Sequence, residues 1–194
     1  PHQCRSELYV GIALKSSLVV NGAHFMKRPG APRNVDNMPS CNLIVRREEY
    51  LAMGGMNEDM HGGEDIEFCH RLAALGRPIG YRPDILVYHK NRTFPAFVKQ
   101  RVAYGAFMLE GLLRSPNVKF AKVLVPALFV LFLASGAVIP LAPFWGFFWW
   151  PILGVYMTAI VFEALRHSEK ITTAPGGLAA IIVGTLAPGV GAIA

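Results

Sequence analysis

Residues 61–72, HGGEDIEFCHRL, set three carboxylates, Glu64, Asp65 and Glu67, directly behind two glycines. Only 16% of this chain is charged, so the grouping needs a reason. A positioned carboxylate can take a proton from a hydroxyl that is about to act as a nucleophile. The same residues also suit the first turn of a helix, where the backbone dipole favours negative charge, and Glu67 can pair with Arg71 one turn on. Residue types alone leave both readings open. A second set, His61, Cys69, His70 and His89, has the chemistry of a zinc site. Its spacing matches no common zinc pattern, and the adjacent Cys69 and His70 face different directions on a helix. The odd cysteine count (Cys4, Cys41, Cys69) at wide spacings fits reduced thiols in a cytosolic-facing domain, with Cys69 as a small core residue.

The elements around these residues follow from pattern. LYVGIAL (8–14) and SLVVNGAHF (17–25) are apolar runs too short to assign to helix or strand. KRPGAPRNVDNMPS (27–40) reads as a long loop, and loops of about fourteen residues in compact domains are often functional. CNLIV (41–45) reads as a short buried strand. RREEYLAMGG (46–55) reads as a helix closed by Gly54 or Gly55 in the positive-φ conformation of a C-terminal cap. The acidic stretch starts a helix that runs to about Leu75 and stops at Gly76. RPIGYRPDILVYHK (77–90) reads as a turn and a strand that ends at His89.

Composition changes sharply along the chain. Of 194 residues 53% are hydrophobic, and Val123–Phe162 contains no Asp, Glu, Lys or Arg. Residues 121–142 and 145–165 are each long enough to cross about 30 Å of hydrocarbon. Pro140, Pro143 and Trp145, Trp149 and Trp150 mark a hairpin between them at a membrane surface. After a polar loop (166–177), residues 178–194 form a third apolar segment that spans, re-enters or is cut short. Arg114, Lys119 and Lys122 flank one end of the hairpin, Arg166 and Lys170 the other, and its tip carries no basic residue. The positive-inside rule then puts residues 1–118 in the cytoplasm of a multi-pass protein of the cell membrane. Residues 94–116 suit either a helix lying in the interface with basic side chains near lipid phosphates, or an amphipathic helix covering the soluble part. Phe97, Tyr104, Met108 and Leu112 fall near one of its faces. The hairpin spans carry no charge between Val123 and Phe162, which argues against an ion path.

The order of the pieces carries more than any one of them. PSCNLIVRREEYLAMGGM, GGEDIEFCHRLAALG, IGYRPDILVYHKNR, a basic aromatic helix and apolar spans together resemble the membrane-attached family 2 glycosyltransferases. The resemblance covers roughly residues 38–110. It implies an α/β chain, the C-terminal part of an inverting GT-A (Rossmann-like) domain followed by an interfacial helix and two to three transmembrane helices. On that division residues 1–93 belong to the catalytic domain, 94–118 to the interfacial region and 119–194 to the membrane region.

The resemblance also implies roles. Asp65 would be the catalytic base, and Glu64 would contact or orient the acceptor. Gly54 and Gly55 would allow close approach of backbone to a sugar. His89 would hold a divalent cation (Mg²⁺ or Mn²⁺) or the diphosphate it carries, and Arg92 would reach phosphate oxygens. Gln100 and Arg101 would line the acceptor or phosphate site. The partners would be a nucleotide-sugar donor, a lipid-linked or polysaccharide acceptor and membrane lipids, with no nucleic acid.

Two departures matter. The family's Asp-x-Asp motif, which shares the cation, occurs nowhere in this sequence, and the chain begins at Pro1 rather than Met. The expectation is a portion that lacks the nucleotide-binding half and is inactive alone. Processive relatives carry Gln-x-x-Arg-Trp before the membrane; here Gln100 and an aromatic at Tyr104 match, but Ala103 stands in place of the arginine. The competing expectation is a non-catalytic membrane module, a transporter or assembly subunit whose cytosolic part only binds a partner.

Overall fold

The computed structural model describes residues 4–19, 31–60, 62–87, 89–114 and 121–194. The expectations that rest on His61, Tyr88, Lys119 and residues 20–30 lie outside these. The chain divides into two compact units, residues 24–89 on one hand and residues 1–23 with 90–194 on the other.

In the 24–89 unit, β1 (Arg33–Val35) pairs antiparallel with β2 (Ile79–Tyr81), with Asn34 opposite Gly80. Ile79 and Tyr81 are buried and Gly80 is exposed, the period-two alternation of a strand with one covered face. Helix α2 (Arg47–Ala52) is one and a half turns long, and α3 (Glu64–Ala74) is three. α3 buries Phe68, Cys69 and Leu72 on one face. Cys69 joins Met38, Ile79 and Tyr81 in a small core, as the sequence suggests for a buried thiol. Phe68 is fully buried, with its ring 5.4 Å from that of Tyr50, which fastens the end of α2 to α3. Burial of such a side chain contributes roughly 1.5–3 kcal/mol. Gly76, at φ 71°, closes α3, and the Arg77 amide turns back to the Leu72 carbonyl at 3.0 Å.

Three expected features differ. The strand at 41–45 is a 3₁₀ turn (Ser40–Asn42) followed by irregular chain, with Ile44 80% exposed. The strand through 84–89 is absent among the described residues; Ile85, Leu86 and Val87 are all exposed. Conversely, β1 forms inside the expected loop 27–40. Strand propensity is realised only where a partner backbone lies alongside, and among the described residues β1 is that partner for Ile79–Tyr81. The described chain is thus largely helical with one two-stranded sheet, and no Rossmann-like core is visible in it.

The helical unit is built around its last helix. α1 (Arg5–Lys15), α4 (Phe94–Arg114), α5 (Leu124–Ala134) and α6 (Gly146–His167) all pack on α7 (Ala174–Ile193). α7 is rich in Gly and Ala, which lets neighbours approach as helices do in membrane proteins. A Cβ at Gly177 would meet Ile12, one at Gly184 would meet Val19, and one at Gly189 would meet the Pro126 carbonyl. Val10, Phe97, Ile160 and Ile181 are fully buried at the centre. Buried carboxylates tie down the ends: Glu7 pairs with Lys90 at 3.2 Å, and Glu163 accepts the Ser17 amide at 3.0 Å beside Arg166 and His167. The turn between α5 and α6 is aromatic. Trp149 and Trp145 donate to the Phe132 carbonyl and the Ser135 hydroxyl, each at 3.1 Å.

Among the described residues, two helical stretches are long and apolar enough to cross a membrane, Pro143–His167 and Ile171–Ile193. The third apolar segment is therefore a full-length helix, whereas the expected span at 121–142 is a shorter apolar helix, Leu124–Val138. Its C-terminal end tightens into 3₁₀ geometry at Ser135–Val138, where the Ser135 hydroxyl bonds back to Phe132. α6 presents much of its apolar surface outward, with Phe147, Val155 and Phe162 exposed, whereas α7 is more deeply packed. The expected 94–116 helix is α4, described over Phe94–Arg114. It packs along α7 through Phe97, Arg101 and Gly105, and Tyr104 is on the exposed side.

Candidate functional site

Gly63 sits at the N-cap of α3 with φ 79° and ψ 9°, the left-handed region where glycine is favoured. The chain can therefore turn sharply into the helix, and Glu64, Asp65 and Glu67 occupy its first turn. Asp65 is half-buried. Its Oδ2 accepts the Ser40 amide at 3.1 Å and its Oδ1 the Ile66 amide at 2.8 Å. Each carboxylate oxygen has a second lone pair, so these bonds orient the group and leave it able to accept from a further hydroxyl. Glu64, also half-buried, precedes it on the same turn.

Glu67 and Arg71 are paired at 2.6 Å and 3.0 Å in a two-pronged contact. Arg71 also donates to the carbonyls of Met53 and Gly55, each at 2.7 Å. Gly54 and Gly55, at φ 74° and 75°, close α2 by returning their amides to Leu51 and Tyr50. The glycine turn is thus bound to α3 at Arg71, six residues past Asp65 and about 9 Å along the axis at ~1.5 Å per residue. A Cβ at Gly54 would meet nothing, so glycine is required there by conformation rather than by crowding. Sequence pattern indicates the Glu67–Arg71 pair; the two carbonyls that Arg71 holds, and the Ser40 amide on Asp65, carry no local signal.

His89 belongs to the same unit as Asp65 and is exposed. Arg92, Gln100 and Arg101 belong to the helical unit. Arg92 is exposed and Gln100 half-buried, while the Arg101 guanidinium donates to the backbone carbonyls of Val19 and Gly184. Among the described residues no group of three or more His, Cys, Asp or Glu converges as a metal would require, so these residues do not by themselves form a cation site. Cys69 is buried and His70 exposed, the opposed directions that adjacent helical residues take.

A cleft of about 230 Å³ lies on the 24–89 unit, lined by Asn42, Arg46, Arg77, Ile79, Arg82 and Ile85 among others. Asp65 and Glu64 are not among its lining residues. Arg82 pairs with Asp84 through two bonds of 3.1 Å, and that contact holds the Asp84 carboxyl below the usual carboxylate range and raises the guanidinium.

One stretch of 84 residues is 32% identical to the pre-mycofactocin glycosyltransferase of Mycobacterium tuberculosis, in strain CDC 1551 and equally in strain H37Rv. The likeness is to a glycosyltransferase. It covers 43% of this chain and 18% of the relative, so the chain spans about a fifth of the length of the curated proteins it matches. No family model and no solved structure matches. The relation is therefore partial and at the level of the family.

Proposed function

We propose that this chain is the acceptor-side and membrane-attached part of an inverting glycosyltransferase of family 2. The 84-residue similarity to a glycosyltransferase carries the reading. It is supported by two apolar helices of membrane-spanning length and by a carboxylate held at a helix start by two amides. Membrane attachment suits an acceptor that is itself anchored in lipid, and the basic flanks favour a cytoplasmic site.

On this reading Asp65 takes the proton of an acceptor hydroxyl as its oxygen attacks the anomeric carbon. The new C–O bond forms on the face opposite the departing nucleoside diphosphate, so the centre inverts. Positioned base catalysis of this kind contributes about 10²–10⁴-fold. Glu64 orients the acceptor, and the Gly54–Gly55 turn offers backbone to a sugar. His89 would contact a divalent cation or its diphosphate. The donor would be a nucleotide-sugar and the acceptor a lipid-linked or polysaccharide glycan.

The test is Asp65→Asn in a polypeptide that joins these residues to a donor-binding half. Transfer of labelled sugar from a nucleotide donor into the lipid-extractable fraction should fall at least 100-fold, in line with loss of a general base, while membrane-bound protein levels and donor binding stay near wild type. Turnover close to wild type would remove Asp65 from the role of base.

A further inference from the structure

α4 carries a guanidinium into the helical unit. Arg101 Nη2 donates to the Val19 carbonyl at 3.1 Å and to the Gly184 carbonyl at 3.3 Å, while its Nε is shut off from solvent without a partner. Burial pushes its pKa down, and a cation set among apolar helices is costly unless its hydrogen bonds are needed there.

The need lies one turn along α7. In a regular α-helix the Gly184 carbonyl would accept the amide of residue 188. That residue is Pro188, inside the helix, and proline has no N–H. A backbone carbonyl left unbonded away from water is destabilising. Arg101 reaches it from the neighbouring helix. The approach is possible because α4 and α7 meet through glycine on both sides. A Cβ on Gly105 would strike the Pro188 carbonyl, and one on Gly191 would strike the Val102 carbonyl.

We propose that Arg101 is a latch: it supplies the donor that Pro188 lacks, and so fixes α4 and the turn after α1 to the proline position of α7. Arg101 is then a positioning residue, and its guanidinium faces backbone rather than a substrate.

The test is a double-mutant cycle on the whole chain in detergent micelles, following the thermal midpoint by tryptophan fluorescence. Arg101→Met lowers the midpoint in the native background. In a Pro188→Ala background, where the new alanine amide can bond Gly184, the same substitution lowers it by less than half as much, because the two sites are coupled. Equal shifts in both backgrounds overturn the latch. If R101M alone does not accumulate, its rescue by P188A is the supporting result and failure of rescue overturns the proposal. Pro151→Ala, which removes a proline inside α6, is the control: if it rescues R101M as well as P188A does, the effect is general helix strengthening and the latch is overturned.

Discussion

Arg71 Nη2 donates to the Gly55 carbonyl at 2.7 Å, sixteen residues back along the chain, while Glu67 holds the other side of the same guanidinium. The pair therefore fastens the turn at the end of α2 to the helix that begins with Asp65. Arg71→Lys keeps the charge and loses the planar fork. Loss of the two carbonyl contacts should cost about 1–3 kcal/mol. It is read as faster hydrogen exchange of the Gly54 and Gly55 amides, which bond to Leu51 and Tyr50. Unchanged exchange would mean that the turn stands without Arg71.

Gly54 and Gly55 share a positive φ but not a neighbourhood. Either alanine substitution should cost about 1–2 kcal/mol for the left-handed conformation. At Gly55 the new methyl would also lie 3.2 Å from the Tyr50 hydroxyl, whereas at Gly54 it would meet nothing. Denaturant unfolding should rank Gly55→Ala as the more damaging, and the reverse order would contradict the packing described here.

The small residues of the helical unit divide in the same way. Gly105→Ala would drive a methyl into the Pro188 carbonyl, and Gly154→Ala would place one in open space. Overpacking at Gly105 should destabilise by about 1–3 kcal/mol. At Gly154 the better helix propensity of alanine should leave stability unchanged or raise it by about 0.5–1 kcal/mol. Thermal midpoints in micelles compare the two directly.

Among the thiols, Cys4 and Cys41 are exposed and Cys69 is buried. The Cys4 thiol is pulled below its ordinary value, first by the Ser6 hydroxyl at 3.1 Å and then by the Glu7 amide at the start of α1. A depressed pKa means more thiolate at a given pH, and thiolate is the reacting form. Alkylation of Cys4 should therefore reach half its maximal rate at a pH below that of an ordinary free thiol, while Cys69 stays unmodified until the protein unfolds. Mass spectrometry after timed iodoacetamide exposure reads both. A Cys4 profile centred at the ordinary thiol value would exclude the Ser6 and Glu7 contacts in solution.

Much of the region around Asp65 was legible in sequence. Gly62-Gly63, three early carboxylates and Gly76 bracket α3 to within a residue, because caps and charged first turns are local devices. A positive φ at Gly54 or Gly55 follows for the same reason, and the structure has it at both. The absence of charge between Val123 and Phe162 determines an apolar helical region, since no folded arrangement in water or lipid uses such a stretch otherwise than by burying it or presenting it to an apolar surround. Other features needed the third dimension. CNLIV is apolar enough for a strand, yet among the described residues only Ile79–Tyr81 found a partner backbone, and it lay in a segment of arginine and asparagine. α7 is dense in glycine, which disfavours helix locally; four neighbouring helices packed on its small residues make it the centre of its unit. Arg101 carried the same letter whether it faced a phosphate or a carbonyl, and its place opposite Gly184 was decided by a proline 87 residues further on, whose missing amide is visible only once the two helices lie together.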